Sequence, residues 1–138
     1  MNVVLDINAL LVSIPKQSKY RPIFDASIDG HFQLSISNDI LSEYIEILER
    51  KANFVVANNI AELLLSLINV SKVDVYFEWK LIHSDVDDNK YVDAYISSNA
   101  DYIVTNDQHF NILKQIAFPK VNVLSIDEFL GIIRKKLI

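Results

Sequence analysis

Short apolar runs alternate with longer amphipathic segments along the whole chain. Residues 3–5 (Val-Val-Leu) and 32–36 have the length and spacing of buried strands. Residues 102–105 and 121–124 are rich in β-branched side chains and predict two more strands. Residues 73–81 alternate between apolar and polar with a period near two, which predicts a further strand.

Apolar residues at helical spacing occupy the intervals between these runs. Ser125 and Glu128 form a capping-box pattern that opens the last helix, and Gly30 is placed to end the first one. The pattern predicts helices over residues 20–29, 40–50, 60–68, 85–98, 107–116 and from 125 onwards.

Strands that alternate with helices are typical of an α/β fold with a parallel sheet covered on both faces. Short, wholly apolar strands agree with this, since both of their faces would be buried. We see no linker, repeat or low-complexity tract in the 138 residues, so we expect residues 1–138 to form one domain.

Composition excludes several classes of site. The chain has no Cys, which excludes disulfide scaffolds, thiolate nucleophiles and iron–sulfur ligation. Its two Gly residues cannot form a P-loop or a dinucleotide-binding fingerprint. Asp6 interrupts the first apolar run, so we predict no signal peptide, no membrane association and a cytoplasmic location.

Four acidic residues are predicted to lie at one edge of the sheet. Asp6 directly follows the first strand, and Asp107 follows the strand that ends at Thr105. Glu43 is expected in the first turn of the helix after the second strand, and Asp88 begins the next helix. Ligands of open parallel sheets bind beyond the carboxyl ends of the strands, so this edge is the predicted site.

Such a group of carboxylates favours a divalent cation. Like charges in one cleft repel, and a cation removes that cost. Oxygen ligands without Cys select Mg²⁺ or Mn²⁺ over zinc, and such ions commonly act on phosphate groups. We therefore expect metal-dependent phosphodiester or phosphoryl chemistry.

Each of these residues also has a structural interpretation. Asp6 could cap a turn, and Asp88 and Asp107 could be helix N-caps with no further role. Asp85 and Asp87 are interpreted as loop acids near the site. The three His residues, His31, His83 and His109, show no ligand spacing and are interpreted as surface or core residues.

A basic cluster follows the first strand and its acid. Lys16, Lys19 and Arg21 are candidates for contacts with phosphates. The net charge of −5 argues against a surface that coats nucleic acid as a whole.

Four sequence blocks resemble the signature blocks of PIN-domain ribonucleases, in the same order. They are Val4-Leu-Asp-Ile-Asn-Ala-Leu10, Leu41-Ser-Glu-Tyr44, Asp88-Asn-Lys-Tyr-Val-Asp93 and Ala100-Asp-Tyr-Ile-Val-Thr-Asn-Asp107. The chain is most similar to the VapC-like toxin components of bacterial toxin–antitoxin pairs. Asn106 departs from the pattern, because relatives often carry Gly or Arg before the last acid.

The resemblance implies a three-layer α/β/α fold with a mainly parallel sheet of about five strands. It implies a Mg²⁺- or Mn²⁺-dependent endoribonuclease whose catalytic acids match Asp6, Glu43, Asp88 and Asp107. Asp6, Asp88 and Asp107 would hold the metal, and Asp93 matches a fifth acid present in many members. The family also implies an antitoxin partner and often a homodimer, for which the apolar helix over residues 60–68 is a candidate surface.

Two other functions remain open from the residues. Asp6 could be the nucleophile of an aspartyl-phosphate phosphohydrolase or a phosphoreceiver, with Thr105 near the phosphoryl group. Such sites also need a Lys at a strand end, which the sequence does not show. Alternatively, the chain could be a catalytically inactive PIN-like binding module.

Overall fold

The computed structural model describes residues 1–137 and contains one parallel sheet with helices on both faces. The strands lie in the order β3-β2-β1-β4-β5, and all four neighbouring pairs are parallel. Their bounds are β1 Asn2–Leu5, β2 Gln33–Ile36, β3 Val70–Lys72, β4 Tyr102–Val104 and β5 Val123–Leu124. This is the predicted three-layer α/β/α architecture of five strands.

Residues 1–137 also form six α-helices and two 3-10 helices, of which all but the last helix lie between strands. The α-helices are α1 Ile7–Ser13, α2 Arg21–Ile28, α3 Asn38–Lys51, α4 Phe54–Ser66, α5 Asn89–Ser97 and α6 Ile126–Lys136. The 3-10 helices cover Val86–Asp88 and Gln108–Gln115. Within residues 1–137, every helix is too short or too polar to span a bilayer.

The strands are buried on both faces. Val3 and Val4 point to opposite sides of β1, yet neither is exposed at all. Ile103 and Val104 in β4 are equally buried. On one face α5 packs against the second 3-10 helix through Tyr91 and Phe110, whose ring centroids are 6.2 Å apart. The strands that carry the acids are therefore packed on both faces.

Local sequence explains where the helices begin. The side chains of Asp6, Ser37 and Asn53 accept hydrogen bonds from the backbone at the starts of α1, α3 and α4. The predicted capping box of Ser125 and Glu128 is present at the start of α6. Gly30 follows α2 with a φ of 77°, a left-handed conformation that glycine adopts without strain.

The predicted strand over residues 73–81 is wrong. Val73 donates the last ladder hydrogen bond, to the carbonyl of Ile36, and the chain then leaves the edge of the sheet. It is held instead by side chains of α5: Asp93 accepts from the Trp79 N–H, and Asn89 exchanges two hydrogen bonds with the backbone of Ile82. An alternating pattern indicates an extended chain, but it does not provide a partner strand.

Other predictions differ from the structure at element boundaries. The helix α4 begins at Phe54 rather than at residue 60, because Asn53 caps it there. Residues 108–115 form a 3-10 helix instead of an α-helix. The short helix α1 was not predicted. Because α3 begins at Asn38, Glu43 lies in its second turn and not in its first.

Candidate active site

The carboxyl ends of β1 and β4 place Asp6 and Asp107 at the same edge of the sheet. The two strands are neighbours, and the Asp6 N–H extends their pairing by donating to the Val104 carbonyl at 3.2 Å. Asp6 is only 4% exposed. Its Oδ1 accepts from the Ala9 N–H at 2.7 Å and so caps α1, which confirms that Asp6 has a capping role.

Thr105 connects Asp6 to Asp107. Its hydroxyl donates to the other carboxylate oxygen of Asp6 and accepts from the Asp107 N–H at 2.9 Å. Thr105 is 3% exposed; its hydrogen bond to Asp6 is buried, and the one from the Asp107 N–H is partly buried. A single buried hydroxyl therefore sets the relative position of the first and last predicted acids.

Glu43 is held by two side chains from α5. Tyr91 donates its hydroxyl hydrogen to Oε1 of Glu43 and accepts from the Ile7 N–H at 3.0 Å, next to Asp6. Lys90 Nζ lies 2.9 Å from Oε2 of Glu43, and both side chains are largely buried. Burial raises the pKa of Tyr91 far above its usual value, so its hydroxyl remains a donor.

His109 lies among three carboxylates, which the sequence interpretation missed. Its Nδ1 is 3.1 Å from Oδ1 of Asp107, 3.3 Å from Oδ2 of Asp88 and 3.7 Å from Oδ2 of Asp85. The signal available was its place two residues after Asp107, directly beyond a strand end. His31 and His83 are exposed, one of the two locations allowed by the prediction of surface or core residues.

The surroundings of Asp88 disfavour its ionised form. Its pKa is raised from 3.8 to about 7, mainly by burial and also by the charges of Asp107 and Asp85, against the opposing hydrogen bond and charge of His109. Burial also raises the pKa of Asp6, and the charges of Asp107 and Glu43 contribute in the same direction. The site thus concentrates more negative charge than its own residues neutralise.

The structure brings the four predicted acids to one edge of the sheet, where they are linked through other side chains. Asp6 and Asp107 share Thr105, whereas Asp107 and Asp88 share His109. Glu43 joins the Asp6 side through Tyr91. Of the two helix caps expected as alternatives, Asp107 does cap the second 3-10 helix, while the Asp88 side chain makes no capping hydrogen bond.

Asp93 lies away from the group around His109. It is 5% exposed and accepts from the Trp79 N–H at 3.0 Å, so it anchors residues 73–81 to α5. Burial raises its pKa above the usual value. It lines a cleft of about 770 Å³ that also contains Glu43, Lys90 and Arg50.

The three basic residues predicted to contact phosphates make different contacts in the structure. Arg21 is committed to structure, because it donates to the Ile14 carbonyl and pairs with Asp25 at 2.8 Å. Lys19 is exposed and lies 3.1 Å from Asp127 in the first turn of α6, just beyond the carboxyl end of β5. Lys16 is exposed as well.

The departure at Asn106 has a structural explanation. Its side-chain oxygen accepts from the Ile126 N–H at 2.9 Å, at the first residue of α6. Asn106 therefore ties the loop after β4 to the start of the last helix. A glycine at this position could not make that contact.

The donor set fits a divalent cation. Asp85, Asp88 and His109 each offer one ligand atom, and these three atoms lie within 4.8 Å of one another. Within residues 1–137 they form the one group of three or more side chains that could hold a metal ion. Two carboxylate oxygens and an imidazole nitrogen are ordinary ligands for such ions. Asp107 extends the set through its 3.1 Å contact with His109.

Replacing Thr105 by Val is expected to damage the site and lower stability. The change leaves the partly buried Asp107 N–H without its acceptor and one buried Asp6 oxygen without its donor. We expect the free energy of unfolding to fall by about 1–3 kcal/mol, measured by urea denaturation. Thr105→Ser retains the hydroxyl and should lose clearly less; equal losses in the two variants would contradict this role.

Comparison with known proteins agrees with this architecture. A family model described as the PIN domain matches residues 2–109. No curated protein sequence matches the chain. Among solved structures, the fold is similar to the crystal structure of VapBC2 from Rickettsia felis bound to a DNA fragment from their promoter. The TM-score is 0.62 at 17% identity, over 91% of this chain and 98% of that one. Because the family model covers most of its length, the chain belongs to the PIN-domain family.

Proposed function

We propose that this chain is a Mg²⁺- or Mn²⁺-dependent endoribonuclease, with residues 1–138 acting as one nuclease domain. The observation that carries the proposal is the convergence of Asp85, Asp88 and Asp107 on His109 at the sheet edge that also holds Asp6. Membership of the PIN-domain family supports nuclease chemistry. The raised pKa of Asp88 supports a cation as the missing partner of these charges.

Under this proposal the acids divide into two roles. Asp6, Asp88 and Asp107 would hold the metal, and Asp6 and Asp107 are kept in register by Thr105. Glu43, fixed by Tyr91 on one oxygen, would orient the attacking water and accept its proton. When bound, a divalent cation supplies charge stabilisation to the phosphate and lowers the pKa of a bound water.

Basic side chains beside the acids would position the phosphate backbone. Lys90 and Arg50 line the cleft next to Glu43, and Lys80 lies at its border. Lys16 is exposed and available to phosphates, Lys19 is exposed and pairs with Asp127, and Arg21 holds the loop. Local basic residues of this kind allow RNA binding in spite of the net charge of −5.

The aspartyl-phosphate alternative has weaker support. A nucleophilic carboxylate needs an oxygen aimed at phosphorus, but both oxygens of Asp6 already accept hydrogen bonds and the side chain is buried. The nearby lysine, Lys90, pairs with Glu43 rather than with Asp6. Because Lys90 is committed to Glu43, it does not supply the lysine that covalent catalysis at Asp6 needs, and this alternative has less support than metal ligation.

We further propose that the chain is the toxin of a cytoplasmic toxin–antitoxin pair. The similar solved structure is of a VapBC2 complex bound to DNA, which supports an antitoxin as partner. A homodimer is also proposed. Its candidate surface is α4, where Phe54 and Val55 are exposed while Ala57, Ala61 and Leu64 face the protein.

The proposed activity predicts RNA cleavage that depends entirely on an added divalent cation. The purified chain should degrade a mixture of structured and single-stranded RNAs with Mn²⁺ or Mg²⁺, and EDTA should abolish the cleavage. Gel analysis of end-labelled RNA gives the measurement. If metal raises neither cleavage nor thermal stability, the inactive binding module is the better description.

A further inference from the structure

The surroundings of His109 contain an excess of acceptors. An imidazole Nδ1 carries at most one hydrogen, so it can donate to one of the three nearby carboxylates only. Asp107 also accepts from the His109 N–H at 2.8 Å, which leaves Asp85 and Asp88 with the weaker contacts. Three carboxylates thus meet at one imidazole nitrogen that can donate to one of them.

The spacing of these atoms matches ligands of one ion. Ligands at about 2.1 Å from an octahedral cation lie about 3 Å apart when adjacent and about 4 Å apart when opposite. The Nδ1 contacts with Asp107 and Asp88 are 3.1 and 3.3 Å, and the atoms of Asp85, Asp88 and His109 lie within 4.8 Å of one another. The atoms of Asp85, Asp88 and His109 are therefore near ligand spacing, whereas Asp107 is linked to this group through His109.

The ligands come from two parts of the chain that are held in place. Asp85 accepts from the Asp87 N–H at the start of the first 3-10 helix. His109 is in the first turn of the second 3-10 helix, which packs on α5 through Phe110 and Tyr91. The imidazole is therefore presented by a structured element.

We propose that the His109 imidazole, together with Asp85 and Asp88, ligates the catalytic cation and makes the site prefer Mn²⁺ to Mg²⁺. Imidazole nitrogen binds transition-metal ions well, whereas Mg²⁺ prefers a shell of oxygen ligands and water. This inference rests on the proposed function, because it concerns the cation of the same site. It adds two ligands, His109 and Asp85, to the acids expected from sequence.

The test measures metal binding directly on the metal-free full-length chain. Mn²⁺ binding is followed by electron paramagnetic resonance, with pulsed detection of the nitrogen coupling that a bound imidazole produces, and Mg²⁺ binding by calorimetry. We expect nitrogen coupling in the wild-type protein and at least about tenfold tighter binding of Mn²⁺ than of Mg²⁺.

The His109→Gln variant identifies the source of that coupling. It should lose the nitrogen signal and about tenfold in Mn²⁺ affinity, with Mg²⁺ affinity changed less than about twofold. His31→Gln is the matched control, since His31 is exposed beyond the opposite edge of the sheet, and it should change neither value. Circular dichroism checks that each variant folds.

Two results would overturn the inference. One is Mn²⁺ binding to the wild-type protein without nitrogen coupling, a result that needs no variant. The other is an equal loss of Mn²⁺ and Mg²⁺ affinity in His109→Gln. Failure of the proposed nuclease is distinguishable, because it would appear as absent RNA cleavage while the nitrogen coupling persists.

Discussion

Asp6→Asn and Asp107→Asn proteins are expected to cleave RNA at least about 100-fold more slowly than the wild-type chain. Loss of a metal-binding carboxylate removes several kcal/mol of charge stabilisation, and each 1.4 kcal/mol or so corresponds to a factor of ten in rate. Cleavage of a labelled RNA at saturating Mn²⁺ provides the rates. We expect each variant alone to show the same loss of rate, because Thr105 links the two acids through hydrogen bonds.

The two substitutions are suited to the question because Asn can retain both helix caps. An Asn at position 6 can still accept from the Ala9 N–H, and an Asn at position 107 can still accept from the His109 N–H. The helices that these residues cap should therefore form normally. Unchanged thermal unfolding of the metal-free proteins would separate a loss of chemistry from a loss of fold.

Asp29→Asn provides a matched control for the change in charge. Asp29 is exposed and lies between α2 and β2, beyond the amino edge of the sheet and far from the acids. Its replacement should leave cleavage within about twofold of the wild type, since surface substitutions away from special features have small effects. Undiminished cleavage by both site variants would defeat the assignment of Asp6 and Asp107.

The positions of the strand-end acids could be predicted because they follow from the topology of the sheet. Asp6 and Asp107 come directly after apolar strands, and parallel strands bring their carboxyl ends to one edge. The same rule located Glu43 and Asp88 approximately. These inferences needed only the order of strands and helices, which the apolar pattern supplies.

The contacts between these acids could not be predicted in the same way. His109 has no second His at ligand spacing, and its role depends on the loop that brings Asp85 and Asp88 next to it. The partner of Asp93 is a backbone N–H in a segment wrongly predicted as a strand. Long-range side-chain contacts of this kind leave no periodic signal in a sequence.

Asp88→Asn is expected to make the metal-free protein more stable at pH 8 while removing cation binding. The pKa of Asp88 is raised from 3.8 to about 7 in the folded chain, so the folded state holds this proton more tightly than the unfolded state does. That preference stabilises the fold at low pH and is lost as the pH rises through about 7. At pH 8 the ionised Asp88 therefore opposes folding, and Asn does not ionise.

The expected gain is about 1–2 kcal/mol in the free energy of unfolding at pH 8. Converting the whole pKa shift into free energy would give a larger value. Asp88 borders solvent and faces His109, so screening reduces the value. At pH 4 the wild-type carboxyl is protonated in the folded chain and the difference should be much smaller. Urea denaturation in EDTA at the two pH values measures the gain, and Asp87→Asn, an exposed neighbour, is the control.

Added Mn²⁺ should reverse the order of stability between the two proteins. The wild-type chain gains stability in proportion to the logarithm of the cation concentration above its dissociation constant, whereas Asp88→Asn gains little. Because the cation must displace the proton on Asp88, wild-type affinity should also rise from pH 6 to pH 8. A variant that is stabilised by Mn²⁺ as strongly as the wild type, or that gains nothing at pH 8 without metal, would show that Asp88 is not the residue that couples folding to the cation.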